Sequence, residues 1–450
     1  MDSTGQRDPT GPTQVVVEVT NTLATNFTTG IQRVVREIVN GLDGPAGSGL
    51  EVLPVVAPST GADFRRLTDD ERECLRNHPA GGPAGRRADG FGPLSPLVRR
   101  VGDLPLTLRA REVVATRQAR RQESPPGHAE LSLGPIERGA FPAGSVFADI
   151  EGSWYDPTPR AELLPRLVAA QVHPFVLVHD VMPLLFPQWF TAQHVQVFRD
   201  WLTAQLRHAE LFLANSECTA ADLRRIAPEL GVHHQLDVQV VPLGADHPVS
   251  NAVPVPRIDQ LGPYVLVVGT LEPRKNQAVV LDAVEQLRDR HPDLALVLVG
   301  KEGWMVDSLV RRIRSHPLLG DRIFWLGGID DAQLAWLYQH AFLSVAPSIY
   351  EGLGVPVMEA LHHGCPTISS TGGALPEAGA GLSELFDPQD VDALVDLLTR
   401  HLEDPAHHAR QRAAAAGYAG PTWDDTARAV ASAVRRISGS GSGSGSVRMP

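Results

Sequence analysis

Short apolar runs alternate with helical patterns through the second half of the chain, and this alternation constrains the fold more than any other feature. Each run is only four to six residues long and most are rich in Val, Leu and Ile, whereas the stretches between them place apolar residues at helical spacing. Strands that alternate with helices in this way form parallel sheets, because each helix returns the chain to the start of the next strand. The predicted strands of this half are residues 264–268, 294–299, 322–326, 342–345 and 366–369.

The first half repeats the same pattern less regularly. It opens with an apolar run at 14–19, a loop of Thr, Asn and Gly, and a helical pattern at 31–42, which is the order that begins an α/β unit. We therefore predict an α/β protein with two doubly wound, Rossmann-like domains. The further elements predicted here are strands at 51–57, 145–148, 175–178, 211–214 and 238–241 and a helix at 192–207.

Segments rich in Pro, Gly or Ser divide the chain. A Pro-rich stretch at 252–263 is typical of a linker between two domains, and a final helical pattern is predicted to pack back toward the first domain. The predicted segments are a first domain at 14–254 with an irregular insert at about 60–140, a second domain at 255–420, a helix at 421–437 and a flexible Ser/Gly tail at 438–450.

Composition excludes several classes of protein. The formal net charge of −12 argues against a general nucleic-acid binder. Three widely separated cysteines, Cys74, Cys218 and Cys365, argue against a disulfide framework and a Cys-based zinc site. No apolar run approaches the ~20 residues of a membrane span, and the N-terminus lacks a signal pattern. A cytoplasmic location is therefore expected.

The first motif with chemical meaning is G-T-L-E-P-R-K-N at 269–276, directly after a predicted strand. Arg274 and Lys275 stand side by side at the carboxyl end of that strand and just before a helix, where two cations suit an anion such as a diphosphate. The alternative is a solvated pair of surface cations. Only two of the 40 basic residues are lysines, Lys275 and Lys301, and a lysine at this place favours the binding site.

The second motif is S-I-Y-E-G-L-G-V-P-V-M-E-A-L at 348–361, after the strand predicted at 342–345. Gly352 and Gly354 let the backbone approach a ligand closely, and a helix predicted at 355–363 would point its first N–H groups into a crevice. Glu351 and Glu359 offer carboxylates suited to sugar or ribose hydroxyls. The alternative for Glu359 is an ordinary solvated helix position.

These motifs together resemble the nucleotide-binding half of retaining glycosyltransferase family 4, the glycosyl transferases group 1, which have the GT-B fold of two Rossmann-like domains facing across a cleft. Order and spacing agree over about residues 241–400, and the combination is highly specific. The other matching segments are V-P-L-G-A-D at 241–246, L-V-G-K at 298–301, W-L-G-G-I at 325–329 and S-T-G-G-A-L-P-E at 370–377.

The resemblance implies roles for residues of the second half. Arg274 and Lys275 would hold the donor diphosphate and stabilise the leaving group, in place of a divalent metal, so neither a metal nor another cofactor is expected. Glu351 would contact hydroxyls of the donor sugar, and Glu359 would bind the ribose hydroxyls. The other donor contacts implied are Gly269, Ile329 in the loop against the base, and the backbone at Gly352, Leu353 and Gly354.

The first half resembles the family in fewer places. In N-F-T-T-G-I-Q-R-V-V at 26–35, Gly30 would approach the donor phosphate. In V-H-D-V-M-P-L at 178–184, His179 or Asp180 would contact the transferred sugar near its reacting carbon, with a packing role as the alternative for His179. The remaining histidines, including His233, His234, His362 and His363, are predicted to be surface or structural, with no metal-ligand geometry behind them. The loop E-G-S-W-Y-D at 151–156 offers three residues to an acceptor sugar, with packing as an equal alternative: Glu151, Trp154 and Tyr155.

The predicted activity is transfer of a hexose, with mannose or a deoxyhexose favoured, from a nucleoside-diphosphate sugar to a glycan, a lipid-linked acceptor or a small molecule. The configuration at the transferred carbon would be retained, and GDP-mannose is the first donor to test. The rival interpretations are a sugar-nucleotide epimerase on the same fold, a glycogen-phosphorylase-like enzyme that would need a pyridoxal-bearing lysine, and a lectin-like subunit without activity. A natural-product glycosyltransferase is a further alternative to a polysaccharide enzyme.

The predicted insert contains a basic stretch at 86–121, with nine arginines against three acidic residues. One interpretation is a flap that meets an anionic acceptor, such as a lipid diphosphate, or the inner membrane leaflet, which would make the protein peripheral at the cytoplasmic membrane face. The other is a solvated surface in an arginine-rich protein. The sequence leaves both open.

Overall fold

Two β-sheets organise the chain in this computed structural model, which describes residues 12–24, 30–57, 64–76, 141–156, 158–246 and 252–440. The first sheet has strand order β3-β2-β1-β4-β5-β6-β7, and all its strands are parallel except β3, which pairs antiparallel with β2. Its strands are β1 Thr13–Glu18, β2 Leu50–Val56, β3 Arg65–Arg66, β4 Val146–Asp149, β5 His173–Val178, β6 Leu211–Ala214 and β7 Val238–Val240.

The second sheet is wholly parallel, with strand order β10-β9-β8-β11-β12-β13. The order reverses between β8 and β11, and the loops that follow these two strands open into one crevice, which is where doubly wound proteins bind ligands. Its strands are β8 Tyr264–Val268, β9 Ala295–Val299, β10 Ile323–Leu326, β11 Leu343–Ala346, β12 Thr367–Ser370 and β13 Glu384–Phe386.

Helices cover both faces of each sheet. Successive side chains of β1 point to opposite faces, so Val15 and Val17 join one apolar cluster and Val16 joins another. This two-sided burial explains why the strands are continuous apolar runs in the sequence. The helices are α1 Thr20–Ala24, α2 Gly30–Leu42, α3 Asp69–Arg76, α4 Arg160–Ala169, α5 Met182–Leu185, α6 Ala192–His208, α7 Glu217–Ile226, α8 Gln277–Leu287, α9 Asp307–Arg314, α10 Asp331–His340, α11 Val355–His362, α12 Leu375–Ala378, α13 Val391–Glu403, α14 Pro405–Ala416 and α15 Trp423–Ser440.

The last helix, α15, lies against α2 of the first sheet. Gly41 permits the close approach, because a Cβ at that position would stand 2.5 Å from the Cβ of Ala427. The backbone N–H of Trp423 donates to Asp246 Oδ1 at 2.7 Å, and Thr426 Oγ1 donates to the carbonyl of Pro242 at 2.8 Å. The chain therefore passes between the two sheets twice, once between β7 and β8 and once between α14 and α15.

The predicted fold class, two doubly wound α/β sheets, is confirmed. Two short strands were not predicted, because β3 has two residues and β13 has three, too few for an alternating pattern. The last helix continues to Ser440, into the predicted Ser/Gly tail. The basic stretch at 86–121 lies outside the described residues. Within the described ranges, no helix has the length and apolar character needed to cross a bilayer.

A buried charge cluster joins the strand ends of the first sheet. Arg160 of α4, with a side chain 1% exposed, contacts Glu18 at 2.6 Å, Asp149 at 2.6 Å and Asp156 at 2.9 Å. The Glu151 carboxyl lies close to Glu18 and Asp156, so a fourth acid stands beside the three that share this guanidinium. Burial, reinforced by the charge of Glu18, raises the pKa of Glu151 to about 8. Burial likewise raises the pKa of Asp156 to about 9, so the folded protein keeps at least one proton in this cluster that an unfolded chain releases near pH 4.

We predict that this proton makes stability fall as the pH rises. A carboxyl whose folded pKa is raised stabilises the fold below its unfolded pKa of about 4.3, and that contribution is lost as the pH rises through about 8. The free energy of unfolding should decrease between pH 6 and pH 9, by at most about 1.4 kcal/mol per pH unit for one proton. Urea denaturation can be followed by the fluorescence of the seven tryptophans, of which Trp201 donates to Ser153 at 2.8 Å beside the cluster.

The Glu151→Gln variant should give a flatter dependence on pH, whatever its stability at one pH. The matched control is Glu162→Gln, which changes an exposed carboxyl on α4 and should leave the slope unchanged. A Glu151→Gln curve that runs parallel to the wild-type curve would show that this carboxyl does not hold the proton.

Candidate active site

The carboxyl ends of β8 and β11 bring two cations onto one carboxylate. Arg274 and Lys275 follow β8, and Glu351 follows β11, which is the neighbouring strand in the sheet. Arg274 Nη1 lies 2.6 Å from Glu351 Oε2, and Lys275 Nζ lies 2.5 Å from Glu351 Oε1. Ser348 Oγ also donates to Glu351, at 2.6 Å. The two separate sequence motifs thus form a single site.

The electrostatics of this site keep Glu351 ionised. Glu351 is 7% exposed, and burial alone would raise its pKa, but the charges of Arg274 and Lys275 outweigh burial and lower the pKa to about 2. Arg274 also pairs with Glu272 at 2.6 Å, where burial raises the pKa of the Glu272 carboxyl. At neutral pH, Glu351 is therefore a hydrogen-bond acceptor and cannot donate a proton.

Glu359 of α11 lies in the same half but faces the other sheet. It is 5% exposed, which excludes the solvated helix position considered as its alternative. Tyr338 donates its hydroxyl hydrogen to Glu359 at 3.1 Å, and Arg33 of α2 reaches across to Glu359 at 3.1 Å and to Asp331 at 2.7 Å. Neither Arg33 nor Tyr338 is predicted as a site residue from the sequence. Arg33 stands in the Gly30 motif quoted above, but only the fold shows what it reaches.

The two halves of the molecule touch at Gly352. Its carbonyl accepts hydrogen bonds from Ser216 at 2.6 Å and from Thr219 at 3.0 Å. Ser216 also caps α7, accepting from the backbone N–H of Thr219 at 2.9 Å. A Cβ on Gly352 would lie 2.4 Å from the carbonyl oxygen of His179. Only glycine fits this contact, and the two sheets are therefore in close contact at the predicted site.

Two more hydrogen bonds cross the same boundary. The Glu377 carboxylate accepts from the backbone N–H groups of Glu217 and Cys218, both at 2.8 Å, at the start of α7. The cavity beside Lys275 and Glu351 measures about 10 Å³, room for about one water molecule. A ligand larger than water therefore requires side chains to move or the two sheets to separate.

His179 and Asp180 lie at the carboxyl end of β5, directly against Gly352. The Nε2–H of His179 donates to the carbonyl of Ile150 at 2.9 Å, and burial lowers the pKa of His179, so the imidazole is neutral. Asp180 accepts from the backbone N–H of Met182 at 2.9 Å. Burial raises the pKa of Asp180, and the charge of Arg274 opposes that shift. Both residues are half-buried beside the second-half site.

The three predicted acceptor residues have different surroundings in the structure. Glu151 does not lie on an accessible surface, as an acceptor contact would. It is 1% exposed and its side chain accepts from the backbone N–H groups of Asn21 and Thr22, both at 3.0 Å, so it fixes α1 instead of facing a ligand. Trp154 packs edge-on against Trp201 at 5.5 Å. Tyr155 is 55% exposed, so of these three it alone presents a large surface.

The other predicted donor contacts have varied surroundings. Gly30 is exposed at the start of α2, and the loop before it, 25–29, lies outside the described residues. Leu353 packs against apolar clusters of both sheets. Ile329 packs beside a cluster of the second sheet. Gly269 and Gly354 have φ angles of +146° and +101°, where a side chain would be strained.

Comparison with known proteins identifies the second half. Residues 251–419 match the family model described as glycosyl transferases group 1. This part of the chain is similar to that family. The group 1 region contains Arg274, Lys275, Glu351 and Glu359, so the resemblance drawn from the motifs is confirmed.

The relatives of the chain include mannosyltransferases. The serotype-specific mannosyltransferase WbdA of Escherichia coli is 35% identical over 227 residues, which are 46% of this chain and 28% of that protein. The O-antigen chain mannosyltransferase B of Escherichia coli is 32% identical over 238 residues, which are 50% of this chain and 60% of that protein. The chain thus spans less than two thirds of the length of either relative.

Solved structures extend the likeness to the whole fold. Sucrose-phosphate synthase from Thermosynechococcus elongatus has a TM-score of 0.61 at 21% identity, covering 95% of this chain and 100% of that one. HepE from Anabaena, in complex with UDP and glucose, has a TM-score of 0.52 at 16% identity, covering 96% of this chain and 98% of that one. The predicted GT-B fold of two facing Rossmann-like domains is confirmed.

We predict that Gly352→Ala forces the two halves apart. The new methyl group would stand 2.4 Å from the His179 carbonyl and 2.8 Å from the Asp180 Cβ, distances that no real contact sustains. The amide hydrogens of Glu217 and Cys218, which donate across the boundary to Glu377, should then exchange faster. Hydrogen–deuterium exchange measured by mass spectrometry reads this directly. Gly262→Ala, whose Cβ would meet an atom no nearer than 3.8 Å, is the control. Unchanged exchange in Gly352→Ala would mean that the contact tolerates a methyl group.

Proposed function

We propose that the protein is a retaining glycosyltransferase that moves a hexose from a nucleoside-diphosphate sugar to a hydroxyl of a glycan acceptor. The observation that carries this proposal is the pairing of Arg274 and Lys275 with Glu351 at adjacent strand ends of a group 1 region. The two cations suit the anionic diphosphate of a sugar nucleotide, and the carboxylate suits the hydroxyl groups of its sugar ring.

Donor binding would exchange the partners within this site. The diphosphate, with its larger negative charge, takes Arg274 and Lys275 from Glu351, and Glu351 turns to the sugar hydroxyls as a charged acceptor. The same cations then stabilise the negative charge that develops on the departing diphosphate, which is the largest demand of the reaction. We assign Glu351 no covalent role, and the diphosphate oxygen on the reacting face would take the proton of the acceptor hydroxyl.

Glu359 would bind the ribose of the donor by a similar exchange. Its carboxylate is now held by Tyr338 from its own half and by Arg33 from the other. Ribose hydroxyls would replace Arg33 and keep Tyr338, so nucleotide entry and the release of Arg33 belong to one event. His179, neutral and fixed by Ile150, or Asp180 beside it would contact the transferred sugar near its reacting carbon.

GDP-mannose is the donor we propose, and a growing polysaccharide is the acceptor. The support is that both Escherichia coli relatives are named as mannosyltransferases and one is named for the O-antigen chain. HepE, a fold neighbour, is in complex with UDP and glucose, which makes UDP-glucose the first competitor to test. We further propose family 4 membership, a metal-independent reaction and a cytoplasmic location, with Tyr155 as the exposed acceptor contact. The alternative acceptor contact is an anionic lipid or the inner membrane leaflet, met through residues 86–121.

A donor screen tests the proposed activity. GDP-mannose should raise the melting temperature of the protein more than UDP-glucose or dTDP-sugars do, because a ligand that binds only the folded state stabilises it. Slow hydrolysis of GDP-mannose to mannose and GDP should accompany this shift. Formation of an epimer from the donor alone would instead favour the epimerase interpretation, and no response to any sugar nucleotide would contradict the proposal.

Removing either cation should abolish the proposed transfer. Arg274→Ala and Lys275→Ala should each lower kcat by about 10²–10³-fold, as loss of a group that stabilises developing negative charge does, and weaken the binding of GDP in calorimetry. Circular dichroism checks that the variants are folded. The control is Arg312→Ala, which removes a surface arginine paired with Asp282 and Glu285 at 2.6 Å. Near-normal turnover in both site variants would exclude the diphosphate assignment.

A further inference from the structure

Three potential metal ligands meet at the outer edge of the second sheet, away from the crevice. Glu384 is the first residue of the edge strand β13, His401 is near the end of α13, and His407 is in the first turn of α14. Glu384 Oε2 lies 2.7 Å from His401 Nε2 and 3.0 Å from His407 Nε2. No role in the proposed glycosyl transfer is assigned to these residues.

The geometry of these atoms is close to that of a zinc site. One ligand atom from each residue lies within 4.8 Å of the other two. Bonds of about 2.0–2.1 Å to a tetrahedral Zn²⁺ ion place the ligand atoms roughly 3.3 Å apart. The oxygen–nitrogen distances of 2.7 and 3.0 Å therefore need to increase by only a few tenths of an ångström to admit an ion between them.

A second layer of contacts holds the ligands in place. His401 is 2% exposed, and its other ring nitrogen, Nδ1, lies 3.1 Å from Nδ1 of His408. The His408 ring in turn stacks on Phe342, with ring centroids 4.0 Å apart. Metal-binding histidines characteristically have their second nitrogen fixed in this way, because it sets the orientation and tautomer of the ring. Arg400 Nη1, 3.5 Å from Glu384 Oε1, is the one nearby cation that the structure shows on this carboxylate.

We propose that Glu384, His401 and His407 bind one divalent transition-metal ion, with Zn²⁺ as the ion that a set of two imidazoles and one carboxylate suits best. Water would complete the coordination. The ion would link α13 and α14 to the edge strand β13. Among the described strands, β13 pairs with β12 alone. Its role is structural and independent of the predicted metal-free transfer. No metal site is predicted here from sequence, because Glu384 lies 17 residues before His401 and only the fold brings it to the two histidines.

The simpler alternative is a hydrogen-bond network in which Glu384 accepts from both imidazoles and no ion binds. Metal titration separates the two. Untagged full-length protein is stripped with a chelator and titrated with Zn²⁺ against a chromophoric competitor. We expect one tight equivalent, a raised melting temperature, and with Co²⁺ the strong visible absorption of tetrahedral coordination. Absence of a stoichiometric site would leave the hydrogen-bond network as the answer.

Matched variants locate the site. His407→Ala and Glu384→Gln should each weaken Zn²⁺ binding by at least about 10–100-fold and remove the Co²⁺ spectrum. His407 is chosen over the buried His401 because its loss is better tolerated by the fold. The control is His291→Ala, which removes another histidine–glutamate pair, to Glu403 at 3.1 Å, and should leave binding unchanged. Tight binding that survives both ligand substitutions would overturn the proposal.

Discussion

The ion pairs between Glu351 and the neighbouring cations Arg274 and Lys275 govern what the crevice can do. A buried carboxylate with two cations within 2.6 Å is stable as a group, whereas removal of one partner leaves charge buried without compensation. The arrangement depends on the second sheet: β8 and β11 must be adjacent, and each must end in a loop that points the same way. An anion that enters the crevice competes for cations that are already in position, once side chains move or the two sheets separate to admit it.

The second half of the molecule could be predicted in some detail, because each strand and each charged motif shows in a short stretch of sequence. Most of its longer strands are short apolar runs, and each charged motif follows a strand. Adjacent strands in a doubly wound sheet then bring Arg274 to Glu351, as the topology requires. The helix at 355–363 was predicted within one residue of Val355–His362. The strand β13 was missed because three residues, Glu384–Phe386, carry no periodic pattern.

The first half was harder, because its important contacts are long-range. Glu151 follows a strand in the same way as Glu351, yet its carboxylate is buried on α1, and nothing in the local sequence separates the two cases. Arg33 could not be assigned because its partners, Asp331 and Glu359, lie about 300 residues further along the chain. The cluster of Glu384, His401 and His407 could not be predicted for the same reason. Its three residues become neighbours only because α13 and α14 pack against β13.

The path of the chain restricts how the crevice can open. The two passages between the sheets run side by side, because Gly244 lies so close to the backbone of Trp423 that a Cβ there would stand 2.3 Å from its nitrogen. The hydrogen bond from Trp423 to Asp246 ties them together. Because the two passages are tied at one place, we expect the halves to separate by rotation about an axis through it. Atoms near this axis are displaced least and those far from it most, so a small bend at the tethers is amplified into a wide opening at the distant rim.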